Sequence, residues 1–146
     1  MKISRELLDE LVTHALEDPG NEVCGVVAVD AAEPDAGQPA ASEPAAEAVG
    51  VLRATNIHAS PLKFEIDPKE LLALYLSIET DGHVLGAIYH SHVRSRPYPS
   101  QTDINFAANW PGVEWIIVGL AAGEQPEVRS YLIEAGAVRE VALEVG

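Results

Sequence analysis

Two short runs of the sequence are almost wholly apolar and rich in β-branched residues. They are VCGVVAV at residues 23–29 and VLGAIY at residues 84–89. Successive side chains of a strand point to opposite faces, so a strand without polar positions must be covered on both faces. The two runs therefore predict central strands of a buried sheet. Glu22 then stands at the start of one buried strand, and His90 stands at the end of the other.

The rest of the chain carries helical and strand patterns in alternation. An apolar stripe over residues 4–18 predicts an amphipathic helix. Asp67 and Glu70 predict a capping box at the start of a second helix that ends at about residue 79, and a short third helix should follow Ser100. Further strands are predicted at residues 49–55, 64–66, 115–120, 128–133 and 138–143.

These elements predict an α/β fold, with a mixed and largely buried β-sheet flanked by helices. The 146 residues match the length of one ordinary domain, so we expect a single domain over residues 1–146. Residues 31–48 are rich in alanine, proline and acid, and they have no periodicity and nothing bulky to bury. We expect this segment to be a flexible loop between two strands rather than a domain boundary.

Charge and cysteine content narrow the class of protein. The formal net charge of −14 repels phosphate, so neither nucleic acid nor an anionic membrane is expected as a partner. The single cysteine cannot form an intrachain disulfide. The first 20 residues contain neither a signal-peptide core nor the roughly 20 apolar residues that span a bilayer. We expect a cytoplasmic protein; no oligomeric state follows from the sequence.

The informative motif is His90-Ser91-His92, at the end of the second apolar run. Residues two apart in a strand project to the same side, so both imidazoles can reach one ion. Asp103, eleven residues after His92, adds a carboxylate. Two histidines and one carboxylate leave a fourth position open on a tetrahedral zinc, as catalytic sites require. Glu22 is the candidate base for a water held there.

Each of these residues also has a purely structural interpretation. A His-x-His pair at a strand end is commonly a surface or hydrogen-bonded pair. Ser100 and Asp103 have the spacing of a helix capping box, a role that is compatible with a place in a metal site. Glu22 alone would be read as a solvated loop acid. The evidence for a catalytic metal site is therefore the combination of these residues and not any one of them.

Taken together, Glu22, His90-Ser91-His92 and Ser100-x-x-Asp103 resemble the motif of the JAMM (MPN-type) zinc metalloproteases without a gap or a substitution. The resemblance implies a cytidine-deaminase-like α/β fold with one Zn²⁺ per chain. It implies that His90, His92 and Asp103 ligate the zinc. It further implies that Glu22 is the general base, and that Ser100 hydrogen-bonds near the developing oxyanion.

Further segments resemble the small prokaryotic members of this family, among them actinobacterial peptidases that release cysteine from a ubiquitin-like sulfur carrier. These segments are EVCG at residues 22–25, YHSH at residues 89–92 and YPS at residues 98–100. The resemblance implies a metallopeptidase that hydrolyses the peptide or isopeptide bond after the carboxyl-terminal Gly-Gly of such a carrier.

The sequence leaves one alternative function open and argues against two others. An isopeptidase that removes ubiquitin-like modifiers from lysines would use the same site. A non-catalytic scaffold of the same fold would lack one or more ligands, and this chain lacks none. A base deaminase needs His-x-Glu and a later Pro-Cys-x-x-Cys, and the sequence contains neither.

Other residues near the motif have two interpretations each. Arg94 and Arg96 could bind the carboxylate of a departing amino acid, or they could simply be solvated. Cys24 lies on the same side of its strand as Glu22, yet free cysteine is among the most buried residue types, which favours an inert core role. Residues 56–64 and 93–98 are the predicted walls of the cleft.

Overall fold

The computed structural model describes residues 1–30, 46–121 and 125–146. Its helices are α1 (Arg5–Glu17), α2 (Pro68–Thr80) and α3 (Gln101–Ala107). Its strands are β1 (Lys2–Ile3), β2 (Cys24–Asp30), β3 (Glu47–Ala54), β4 (Val84–His92), β5 (Glu114–Gly119), β6 (Glu127–Glu134), β7 (Ala137–Val141) and β8 (Glu144–Val145). Within these residues the strands form one mixed sheet in the order β7-β6-β5-β4-β2-β3-β1-β8. The predicted α/β fold is confirmed.

The two apolar runs form the centre of the sheet, as predicted. Strand β2 pairs antiparallel with β3 on one side and with β4 on the other, and β4 continues parallel to β5. Helix α1 packs Leu8, Leu11 and Ala15 against one face. Helices α2 and α3 cover the other face, where Trp115 and Ile117 are completely buried. Burial on both faces explains why neither run carries polar residues before the histidines.

The boundaries differ from the prediction at several points. Residues 64–66, predicted as a strand, form no strand in the described structure. Strand β3 begins at Glu47, inside the segment predicted as a loop, while residues 31–45 of that segment lie outside the described residues. Strands β1 and β8 were not predicted, because two residues are too few to produce a periodicity.

The start of α2 differs from the predicted capping box. Asp67 is the N-cap, and its side chain accepts a hydrogen bond of 2.8 Å from the amide of Lys69. The Glu70 carboxylate does not return to the cap; it accepts a hydrogen bond of 2.6 Å from the amide of Thr55. Glu70 therefore satisfies the backbone just after β3 rather than its own helix. Across the described residues, no helix combines the length and the hydropathy that crossing a membrane requires.

Gly25 in the central strand offers a test of this packing. A Cβ at Gly25 would overlap the Tyr89 ring and lie 2.5 Å from the carbonyl oxygen of Leu52. Gly25→Ala should therefore lower the free energy of unfolding by about 1–3 kcal/mol, as overpacked core substitutions do. The matched control is Gly50→Ala in β3, where a Cβ meets nothing within 4 Å. Urea unfolding measures both, and equal effects of the two substitutions would contradict the packing.

Candidate metal centre

Strand β4 carries the two histidines to the edge of the core. His90 stands opposite Cys24 of β2 and Ile117 of β5, and its side chain is completely buried. Ser91 is also buried, and its hydroxyl oxygen accepts a hydrogen bond of 2.9 Å from the amide of Val23. The amide of Ser91 donates to the carbonyl of Val23 at 3.0 Å. Ser91 therefore ties the end of β4 to the residue that precedes β2, a structural role.

Helix α3 supplies the carboxylate of Asp103. Ser100 is the N-cap, and its hydroxyl oxygen accepts a hydrogen bond of 3.2 Å from the amide of Asp103. In return, the Ser100 amide donates to Asp103 Oδ2 at 2.9 Å. The predicted capping box between these two residues is confirmed. It fixes the orientation of the Asp103 side chain, which is buried against the histidines.

The three side chains converge on one point. His90 Nε2 lies 3.0 Å from His92 Nε2 and 3.1 Å from Asp103 Oδ2, and His92 Nε2 lies 3.5 Å from the same oxygen. Ligand atoms about 2.0–2.1 Å from a tetrahedral zinc are about 3.3 Å apart. The spacing of these atoms therefore fits three corners of a tetrahedral metal site.

The protonation of the cluster also suits a cation. The His92 Nδ1 lies 2.9 Å from the carbonyl oxygen of Arg96, which can only accept, so Nδ1 carries a proton. Burial opposes a second proton on Nε2, but Asp103 and the Arg96 carbonyl raise the pKa of His92, so a metal ion would displace that proton when it binds. Burial lowers the pKa of His90 and favours its neutral form. Burial opposes ionisation of Asp103, but His90, His92 and the Ser100 amide hold the pKa of Asp103 well below its usual range.

Glu22 completes the group from the opposite strand. One carboxylate oxygen of Glu22 and one nitrogen each of His90 and His92 all lie within 4.8 Å of one another, and all three residues are buried. Burial raises the pKa of Glu22 to about 7; the charge of His92 opposes this shift, and Asp103 adds to it. A carboxyl group with this pKa can take up and release a proton near neutral pH.

Asn56 holds Glu22 in place from a loop. Its side-chain nitrogen donates to the carbonyl oxygens of Glu22 and Lys63, each at 3.0 Å. Its side-chain oxygen accepts from the amides of His58, at 3.1 Å, and Glu65, at 3.2 Å. One amide group therefore organises the whole loop beside Glu22. The sequence placed Asn56 in the cleft wall and among the residues shared with the small prokaryotic members, but it gave Asn56 no role, because a side chain that bonds distant backbone leaves no periodic signal.

Two pockets each include one residue of this group in their lining, Asp103 in one and Glu22 in the other. One, of about 270 Å³, is lined by Lys63, Phe64 and Phe106 together with Asp103. The Phe64 ring also stacks on the His90 ring at 4.4 Å. The other pocket, of about 320 Å³, is lined by Glu22 and by residues of α1 and β3. Residues from the predicted wall at 56–64 line both pockets.

Cys24 belongs to the core. It is completely buried on the α2 and α3 side of the sheet, and burial, with the charges of Glu70 and Glu22, raises its thiol pKa to about 12. A thiol with so high a pKa is a poor nucleophile at neutral pH. This burial agrees with the core interpretation of Cys24, and its chemical inertness stays a prediction.

The fold and the His-x-His cluster can be compared with known protein families. Residues 4–134 match the family described as prokaryotic homologs of the JAB domain, and the chain belongs to this family. The CysO-cysteine peptidase of Mycobacterium tuberculosis is 32% identical to it over 143 residues, which cover 98% of this chain and 89% of that protein. The desampylase of Haloferax volcanii is 34% identical over 123 residues, covering 80% and 78%. The chain is thus a member of a hydrolase family.

A solved structure agrees with the architecture. The solution structure of a Desulfitobacterium hafniense protein superimposes with a TM-score of 0.81 at 25% identity. The superposition covers 99% of this chain and 92% of the other. The crystal structure of a JAB1/MPN domain protein from Archaeoglobus fulgidus superimposes with a TM-score of 0.59 at 21% identity, covering 99% of this chain and 98% of the other. The JAMM (MPN-type) resemblance in the sequence is therefore matched by both family and fold.

Proposed function

We propose that this chain is a zinc-dependent metallopeptidase that hydrolyses the bond after the carboxyl-terminal Gly-Gly of a ubiquitin-like sulfur-carrier protein and releases cysteine. The observation that carries the proposal is the convergence of three ligand atoms beside the buried carboxylate of Glu22. The similarity to a CysO-cysteine peptidase over 98% of the chain supports the substrate class. Residues 1–146 act in this proposal as a single domain.

His90, His92 and Asp103 would hold one zinc ion per chain. Imidazole nitrogen and carboxylate oxygen are ordinary zinc donors, and three protein ligands are typical of catalytic rather than structural sites. The ion, when bound, supplies a Lewis acid that acidifies water and polarises the scissile carbonyl. The hydrogen bond from His92 Nδ1 to the Arg96 carbonyl orients that ring for ligation.

Glu22 would act as general base and then as general acid. Its carboxylate takes a proton from the attacking water and passes it to the nitrogen of the departing amine, so that the peptide bond breaks and a neutral amine leaves. The Ser100 hydroxyl oxygen already accepts from the Asp103 amide, so its own O–H remains free to donate. We assign that O–H to the oxygen of the scissile carbonyl, where negative charge develops.

A second candidate function is the removal of ubiquitin-like modifiers from lysines. The similarity to a desampylase over 80% of this chain favours it. The two functions share the ligands, the base and the carrier tail, and they differ in the group that departs. A single cysteine departs in the first function, and a lysine side chain of a protein departs in the second.

Loss of a ligand should remove the metal and leave the fold. His90→Ala and His92→Ala should each lose most bound zinc and all peptidase activity, while circular dichroism still reports a folded domain, because the core is built from strands and helices. Atomic absorption measures the zinc. His83→Ala, outside the cluster, is the control and should keep both metal and activity. Full zinc retention in both single mutants would end the metal assignment.

Replacing the general base should lower turnover without removing the metal. Glu22→Gln should keep zinc and carrier binding but lose on the order of 10²-fold or more in turnover, since the amide cannot accept the proton of water. Zinc content, carrier affinity and kcat are measured on one preparation. Turnover near the parent rate would assign the base to another group.

The leaving group distinguishes the two candidate functions. The enzyme should release cysteine from a Gly-Gly-Cys carrier at least roughly tenfold faster than it cleaves a lysine isopeptide of the same carrier. A site built to bind the free α-carboxylate of the departing cysteine is left with an unpaired polar group by a lysine, whose own carboxyl group is in a peptide bond. Mass spectrometry on both substrates at equal concentration measures the ratio. Equal rates, or a preference for the isopeptide, would favour the modifier-removing function.

A further inference from the structure

The segment that joins β4 to α3 runs directly past the candidate metal centre. Residues 93–99, all within the described structure, form neither helix nor strand. Most of their side chains are exposed, but Pro97 and Pro99 are buried. A segment without ladder hydrogen bonds keeps one conformation only where specific contacts hold it. Those contacts therefore decide what the segment presents to the metal ligands.

The carbonyl oxygen of Arg96 is the part of this segment that meets the cluster. It accepts hydrogen bonds from two donors, His92 Nδ1 at 2.9 Å and the amide of Tyr98 at 2.8 Å. The bond from the Tyr98 amide closes a three-residue γ-turn centred on Pro97. Because one oxygen serves both donors, the orientation of the His92 ring follows the conformation of this turn.

Tyr131 holds the centre of the turn. Its hydroxyl donates to the carbonyl oxygen of Pro97, and its side chain is buried. Tyr131 lies in β6 and belongs to the core beneath α2 and α3, the face on which alternation from Ile88 also places His92. The hydroxyl therefore ties the turn beside His92 to a paired strand of the same sheet.

Pro97 is also packed against β5. Gly119 of that strand pairs with His92 of β4, and a Cβ at Gly119 would lie 2.8 Å from Pro97 Cδ. The proline ring therefore occupies the space that a side chain at this position would need. Contacts from two strands, Tyr131 of β6 and Gly119 of β5, thus fix the central residue of the turn.

The sequence suggested Arg94 and Arg96 for the role of their side chains. Both are exposed, and the Arg96 guanidinium lies over the ring of Tyr98, 5.0 Å from its centroid. The structure gives the main chain of Arg96 a contact with a metal ligand instead. Binding of a departing carboxylate by either side chain stays a prediction.

We infer that Tyr131 is a positioning residue of the metal centre, whose hydroxyl fixes the turn at Pro97 so that the Arg96 carbonyl holds the His92 ring in the orientation for ligation. The inference rests on the zinc site of the proposed function and adds the residue that prepares it. Groups that orient a metal-bound histidine are worth about 10- to 100-fold in metal affinity. Tyr131 acts one contact further from the metal, so we expect the lower end of this range.

The test is Tyr131→Phe, which removes only the hydroxyl. Competition of the zinc-free protein with a chelator of known zinc affinity should give a zinc Kd about tenfold weaker than that of the wild type. The NMR resonance of the His92 Nδ1 proton should be sharp in the wild type and broadened by exchange with water in the variant. This proton reports the hydrogen bond to Arg96 directly, whereas a general loss of stability would leave that bond intact.

Tyr89→Phe is the matched control. Tyr89 is also a buried tyrosine with a bonded hydroxyl, which lies 2.7 Å from His14 Nδ1, but it belongs to the core on the α1 face. Both variants should unfold at a somewhat lower temperature, because each loses one hydrogen bond. Tyr89→Phe should nevertheless keep the wild-type zinc Kd and the sharp His92 resonance.

The outcomes separate this role from the proposed function. An unchanged zinc Kd in Tyr131→Phe, or an equal loss of affinity in Tyr89→Phe, would overturn the positioning role while the metal centre stands. If the wild-type protein binds no zinc, the metal centre of the proposed function fails together with this role.

Discussion

The pairing of β2 with β4 is the constraint on which the rest of the site depends. The register sets Cys24 opposite His90, and the Ser91 hydroxyl and amide then hold Val23 against the end of β4. Alternation along β4 turns Ser91 away from the cluster and turns both histidines toward it. A slip of one residue would exchange these faces and leave Glu22 without its neighbours. The same ladder that stabilises the sheet therefore assembles the candidate metal centre.

The carboxylate of Asp103 takes part in both helix capping and the cluster. Its Oδ2 accepts from the Ser100 amide and lies 3.1 Å from His90 Nε2. A free aspartate would have to give up rotamer freedom to join a metal site, whereas this one is already held by the first turn of α3. The overlap of the two roles explains how a helix of only seven residues, α3, can present a ligand accurately.

Irregular segments give the site its shape, and here sequence patterns were least informative. Residues 64–66 were predicted as a strand, but the side-chain amide of Asn56 binds this loop to itself and to the carbonyl oxygen of Glu22. Glu70 was assigned to its own helix, and it bonds the amide of Thr55 instead. Both side chains satisfy backbone groups that have no partner within a strand or helix, and the identity of those groups depends on the folded arrangement.

The sequence by itself determined the central strands, the three helices and the motif of His90, His92 and Asp103, because periodicity and spacing along the chain encode them directly. The tertiary structure alone decided which residues surround Glu22. Asn56 follows β3, which neighbours β2 in the sheet, and it bonds the carbonyl oxygen of Glu22 although it lies more than thirty positions away along the chain. Contacts of this kind arise from strand pairing and loop closure, and no local pattern of residue types records them.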